Sequence, residues 1–75
     1  MGHRMIAIEA LNIATGFAAR AWGTVPEGGS ARRSTIEPTE WVVHVPIPGW
    51  HNRDPSSAIV IVDEVTRQAR FSPVM

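Results

Sequence analysis

The sequence predicts an α+β domain in which one N-terminal helix packs on an antiparallel sheet of three or four strands. Apolar residues recur with helical spacing from Met5 to Trp22 and alternate with a period of two further along the chain. The order also supports this class, because a helix followed by a run of strands is typical of α+β domains. The 75 residues have room for one such domain, with a helix at about 5–22, a loop at 23–31 and the sheet at about 32–73.

The predicted helix carries an apolar face wider than one small sheet requires. Its members recur at the spacing of a single helix face and are Ile6, Ala10, Ile13, Ala14, Phe17 and Ala21. Gly16 costs about 1 kcal/mol relative to Ala in a helix interior, which a close approach of neighbouring backbone would offset. Gly23 is the expected helix stop. The excess apolar surface predicts a partner on the outer flank of helix 5–22.

Two strands form the predicted centre of the sheet. From Glu40 to Ile47, every second residue is apolar on one face, beginning with Trp41. The consecutive apolar residues 59–62 indicate a strand that is buried on both faces. Since one helix covers only one face, we expect Val42, Val60 and Val62 to be partly uncovered on the opposite face of strands 40–46 and 58–64.

Two shorter strands complete the prediction. Residues 32–36 alternate weakly and indicate an edge strand, and residues 69–73 form a short returning strand after a tight connection at 63–68. Arg67 occupies the place in that connection where Gly or Asn is usual if the turn needs a positive φ. We therefore expect a modest backbone strain at Arg67.

Size and composition favour association with another chain. The chain has no Cys, so it cannot form a disulfide or a Cys-based zinc site, and 75 residues make a core close to the lower limit for independent stability.

The charges of the chain balance, with seven basic and seven acidic residues, and they form no basic stripe that would bind nucleic acid. Glu9 and Asn12 interrupt the apolar N-terminal run, so we expect no secretory signal, no membrane span and a cytoplasmic location.

The sequence favours a non-enzymatic role without a cofactor or metal. It has no Cys nucleophile and no Gly-x-Ser-x-Gly elbow. His44, His51 and Asp54 are the one grouping that resembles a metal or acid–base site, but the structural interpretation, in which Asp54 caps a turn and His51 is solvated, is favoured. A Gly28–Ser30 loop followed by Arg32 and Arg33 lacks a Walker pattern, so we favour solvated arginines there over phosphate binding.

Trp50 is the most distinctive aromatic residue. It lies in a Pro/Gly-containing loop beside His51, Asn52, Arg53 and Asp54, a composition typical of interface hot spots. The alternative, in which Trp50 folds back over the small core, is equally supported. The partner-binding residues that the sequence predicts are Trp50, His51 and Arg53 in this loop, Trp22 at the end of the helix, and Val42 on the uncovered sheet face.

Part of the chain resembles small bacterial proteins of the YrhB-like immunity group. The resemblance rests on a leading helix, a strand opened by a Trp at 40–45, and a later strand and hairpin at 58–71. That family ends the later strand in a Val-Asp-x-x-Thr-Gly hairpin, and Arg67 stands where the family has Gly. The resemblance implies a helix on an antiparallel sheet and a role in binding a toxin or another protein without catalysis.

These observations predict a non-enzymatic protein–protein interaction module. It would act as a homodimer or as an immunity-like or accessory subunit of a bacterial complex, with a protein partner that is either a second copy or another chain. The competing hypothesis is a ligand-binding or catalytic dimer with a pocket between helix and sheet that uses His44, His51 and Asp54.

Overall fold

A computed structural model describes residues 5–49 and 57–72 of the chain. Within these residues the elements are a helix, α1 (Ala7–Trp22), and four strands, β1 (Ser30–Arg33), β2 (Glu40–Pro46), β3 (Ser57–Asp63) and β4 (Ala69–Phe71). Each strand pairs antiparallel with the next, which gives the sheet order β1-β2-β3-β4. The predicted α+β fold, with a helix on an antiparallel sheet, is confirmed.

Local hydrogen bonds define both ends of α1. At the start, the Ile6 N–H donates to Glu9 Oε1 at 3.1 Å, which satisfies a backbone donor that has no partner within the helix. At the end, Gly23 adopts a left-handed conformation with φ of 74°, and its N–H donates to the Ala19 carbonyl at 2.8 Å. Gly23 is therefore the helix stop that the sequence predicts.

The core lies between α1 and one face of the sheet. The helix contributes three fully buried small residues, Ala10, Ala14 and Ala18, and the sheet contributes large ones, which are Trp41, Val43, Val45, Val60 and Val62. Because alanines line the contact, the helix backbone can approach the sheet closely. Each fully buried valine stabilises the fold by about 1.5–3 kcal/mol, so this interface supplies most of the hydrophobic stabilisation. Ile6 and Ala21, predicted on the buried face, lie at the helix ends and are exposed.

The register of the sheet corrects the prediction of which residues face away from the helix. Val43 pairs with Val60, and Trp41 pairs with Val62, so Val60 and Val62 lie on the covered face. Both are completely buried there. The prediction that they are partly uncovered was wrong, because a run of four apolar residues does not reveal which two of them face the helix. Ile59 and Ile61 occupy the uncovered side instead.

The first strand also differs from its prediction. It spans residues 30–33 rather than 32–36, and it ends where the Ser34 Oγ accepts hydrogen bonds from the Ile36 and Glu37 N–H groups at 3.2 and 3.1 Å. Such a serine turn competes with continued strand pairing. As a result Ile36 lies in the β1–β2 turn and is 90% exposed.

The β3–β4 turn is organised by Asp63. Its Oδ1 accepts hydrogen bonds from the Val65 and Thr66 N–H groups at 2.8 and 3.0 Å, the arrangement of an Asx turn. The chain then returns through Arg67 with φ of 60°, the positive value predicted at this position. A residue with a Cβ is strained by about 1–2 kcal/mol in this conformation.

Gly16 and Gly29 have opposite surroundings. Gly16 is exposed on α1, and among the described residues no atom beyond its own helix backbone lies within 4 Å of a Cβ built there, so no described strand approaches the helix closely at this position. Gly29 has φ of 114°, and a Cβ there would lie 2.6 Å from the His44 carbonyl oxygen. The β1–β2 pairing thus requires glycine at position 29, whereas the helix does not require it at position 16.

We expect Gly16→Ala to raise the free energy of unfolding by about 0.5–1 kcal/mol, because alanine is the better helix former and space is free. The matched variant Gly29→Ala makes the same chemical change and should lower that free energy by more than about 1 kcal/mol, because of its positive φ and the steric clash. Urea unfolding followed by circular dichroism measures both. Equal effects of the two substitutions would contradict this account.

The strain at Arg67 is tested by comparing Arg67→Gly with Arg67→Ala. In the natural protein, Arg67 Nη2 lies 3.6 Å from Glu9 Oε2, and both side chains are partly exposed. Both variants lose this ion pair, so its loss cancels in the comparison. We expect the Gly variant to be more stable than the Ala variant by about 1 kcal/mol, because only glycine adopts φ of 60° without strain. Equal unfolding free energies in urea would show that the turn is not strained.

Candidate protein-interaction surface

The side of the sheet that faces away from α1 is the candidate site, and we call it the open face. Successive strand residues point to opposite sides, so this face is formed by the alternate positions that are not buried under the helix. From the register they are Ser30, Arg32, Glu40, Val42, His44, Pro46, Ser57, Ile59, Ile61, Asp63 and Arg70. No described residue packs over them as α1 packs over the other side.

The centre of the open face is apolar. Val42 is paired directly with Ile61, and His44 with Ile59, across the β2–β3 ladder. All four side chains are half-buried by their neighbours within the sheet. This surface can form dispersion and hydrophobic contacts with a flat partner, and it offers His44 as a hydrogen-bonding group.

Charged groups lie around this apolar centre. The Arg70 guanidinium reaches across β3 to Glu40, with Nη2 and Oε2 at 3.1 Å. Asp63 is engaged by its own turn. Arg32 is exposed at the β1 edge, and no described residue forms an ion pair with it. The open face therefore carries both signs of charge, with Arg32 available to a partner.

The two neighbouring arginines of β1 have separate roles. Arg33 points to the helix side. There its Nη2 lies 2.9 Å from Glu64 Oε1, and its Nη1 donates a hydrogen bond to the Pro38 carbonyl at 2.7 Å. Its guanidinium also lies 4.6 Å from the centroid of the Trp41 ring. Arg32 points to the open face. They do not converge on a common anion, which disfavours phosphate binding by this pair.

The Arg33–Trp41–Glu64 cluster was not predicted from the sequence. The Trp41 Nε1–H donates to the same Glu64 Oε1 at 3.4 Å, so one carboxylate joins β1, β2 and the end of β3. The three residues are far apart in sequence, and only the strand register brings them together. The sequence feature that could have predicted this cluster is the pairing of Arg33 with Trp41 on neighbouring strands. Using it requires knowing that β1 ends at residue 33.

The predicted partner-binding residues fall into three groups. Val42 lies at the centre of the open face. Trp22 lies on the other side of the sheet, where its ring stacks on Phe71 with centroids 5.8 Å apart, so it does not share a surface with Val42. Trp50, His51 and Arg53 lie outside the described residues.

The predicted acid–base grouping is not assembled by the described part of the chain. His44 is on the open face between Ser30 and Ile59, and both His51 and Asp54 lie outside the described residues. Within residues 5–49 and 57–72, no group of three or more His, Cys, Asp or Glu side chains is placed to hold a metal ion.

An open cleft of about 290 Å³ lies beside the sheet rather than between helix and sheet. It is lined by residues 25–27 and 46–49. Its walls are mostly proline and aliphatic side chains, with Glu27 as the one carboxylate, and His44 is not among them. A catalytic pocket typically brings several polar groups together, and the lining of this cleft does not.

Comparison of the chain with protein-family models, with curated proteins and with solved structures gave no match. In the described part of the chain, α1 is too short and too polar to cross a membrane. The function is therefore argued from the open face itself.

Acid should weaken the β3–β4 turn at the edge of the open face. The hydrogen bonds from the Thr66 and Val65 N–H groups lower the pKa of Asp63. The ionised Asp63 carboxylate therefore stabilises the folded protein fully at pH values above the pKa of Asp63 in the unfolded chain. This stabilisation is lost as pH falls through the lower pKa of Asp63 in the folded protein. Asp63→Asn keeps an acceptor but does not titrate. We expect its unfolding free energy to fall less than that of the natural protein below roughly pH 4, measured in urea. Parallel pH profiles would contradict this.

Proposed function

We propose that this chain is a non-enzymatic protein–protein interaction module that binds through the open face. The observation that carries the proposal is the half-buried apolar centre formed by Val42, Ile59 and Ile61, which lies on the side of the sheet opposite the only described helix. Apolar patches rimmed by charged groups are typical of protein interfaces. The small size of the chain, 75 residues without Cys, adds support, because an added partner would supplement a small core.

The immunity-like role is one form of this proposal. The Asp63 turn places a positive φ at Arg67, the position at which the sequence pattern of the YrhB-like group has Gly, and glycine adopts a positive φ most readily. In this form the open face binds a toxin. In the accessory-subunit form it binds a component of a larger assembly. Both forms make binding depend on the same side chains.

The competing ligand-binding or catalytic function gains no specific support. The cleft lined by residues 25–27 and 46–49 does not include His44. The half-buried position of His44 between Ser30 and Ile59 on a flat sheet suits a contact residue better than a residue in a substrate pocket.

A pull-down from the native host with three tagged baits tests the proposal. The baits are the natural protein, Val42→Glu at the centre of the open face, and Ile36→Glu in the 90% exposed β1–β2 turn as the matched control. We expect the Val42→Glu bait to recover at least ~10-fold less of the partner, which is identified by mass spectrometry. A tenfold loss corresponds to a weakening of the binding free energy by ~1.4 kcal/mol. The control should recover as much as the natural protein.

Circular dichroism and urea unfolding of each bait establish that it is folded. If a folded Val42→Glu bait recovers the same proteins in the same amounts as the natural protein, the open face is not the docking surface. If the Ile36→Glu control loses the partner and the Val42→Glu bait keeps it, the β1–β2 turn is the docking surface instead.

A further inference from the structure

The edges of the sheet are poor sites for adding a strand. Both edge strands are short, with four residues in β1 and three in β4. Each also presents arginine, at positions 32, 33 and 70. Short, charged edges are the usual means by which proteins prevent strand addition. A partner is therefore expected to pack against a face of the sheet rather than to extend it.

The open face has the dimensions of a small interface. With strands ~4.8 Å apart and residues ~3.4 Å apart along a strand, the four, seven, seven and three residues of β1 to β4 cover roughly 340 Å² in flat projection. Side chains that stand out from the sheet add to this area. Small stable interfaces bury ~600 Å² per partner, so the open face suits a small, reversible dimer rather than a permanent one.

The charge pattern of the open face suits a second copy. One row across the sheet has arginines at both ends, in the order Arg32, Val42, Ile61 and Arg70, and the adjacent row contains Glu40 and Asp63. In a two-fold dimer the same patch must pair with itself. A patch with both signs in neighbouring rows can place arginine opposite a carboxylate, which a patch of one sign cannot do.

Net charge does not oppose this self-association. The chain has seven basic and seven acidic residues, for a formal net charge of zero at pH 7. Two copies therefore approach without the long-range repulsion that keeps highly charged proteins monomeric.

We propose that two copies of this chain pack open face against open face about a two-fold axis. The product is a four-layer assembly in the order helix, sheet, sheet, helix, with Val42 and Ile61 at its centre and Arg32 paired with a carboxylate of the second copy. The sheets would stack about 10 Å apart, as in β-sandwiches. This inference rests on the proposed function, and it names the partner as a second copy.

Sedimentation equilibrium over a range from low to high micromolar concentration tests the dimer. We expect the mass of the natural protein to rise from 8.2 kDa toward twice that value. Val42→Lys should raise the dissociation constant at least ~10-fold, because it places a cation in the apolar centre beside Arg32. The matched control Ile36→Lys should dimerise like the natural protein.

A milder substitution keeps the test decisive if Val42→Lys fails to fold. Since the chain has no Cys, Ile61→Cys and Ile36→Cys each introduce a single thiol. We expect maleimide to label position 61 more slowly as protein concentration rises, and to label position 36 at a constant rate.

A mass of 8.2 kDa at every concentration, or labelling at position 61 that does not depend on concentration, would overturn the dimer. The pull-down separates this failure from that of the proposed function. A monomer that still loses a host partner on Val42→Glu substitution keeps the interaction function and excludes only the second copy.

Discussion

The packing of one alanine-lined helix against one face of the sheet is the constraint on which the structure depends. The three alanines of α1, at positions 10, 14 and 18, allow the helix to lie close to four valines of β2 and β3. These valines, Val43, Val45, Val60 and Val62, are completely buried, as are the alanines. A single helix of 16 residues can satisfy one side of a four-stranded sheet and no more. The open face follows directly from this geometry.

Charged groups surround the apolar centre of the open face. The Glu40–Arg70 pair spans β3 beside Ile61, and Arg32 lies beyond Val42 at the β1 edge. On the opposite side, Arg33 is held by Glu64 and the Trp41 ring, so it secures the sheet rather than meeting a partner. Adjacent arginines thus lie on opposite sides of the sheet, Arg33 on the helix side and Arg32 on the open face, because strand residues alternate in direction.

Periodicity was sufficient to predict the helix and the central strands. Residue type predicted the helix stop at Gly23 and marked Arg67 as the position of strain if the turn had a positive φ, which it has. Periodicity could not assign Val60 and Val62 to the covered face, because a continuous apolar run has no polar positions to mark its sides. It also could not find the Arg33–Trp41–Glu64 cluster, which depends on strand register across 31 residues of sequence. For the candidate site, the sequence identified Val42 but grouped it with Trp22, which packs on the other side of the sheet.

The central claim is that the open face is covered in the assembled protein. Methyl NMR with a soluble paramagnetic probe tests it directly, because isoleucines lie both on the open face, at 59 and 61, and on exposed sites elsewhere, at 8 and 36. As protein concentration rises, the account predicts that probe-induced broadening decreases for the Ile59 and Ile61 methyls and stays constant for Ile8 and Ile36. Broadening of Ile59 and Ile61 that is the same at every concentration would contradict it.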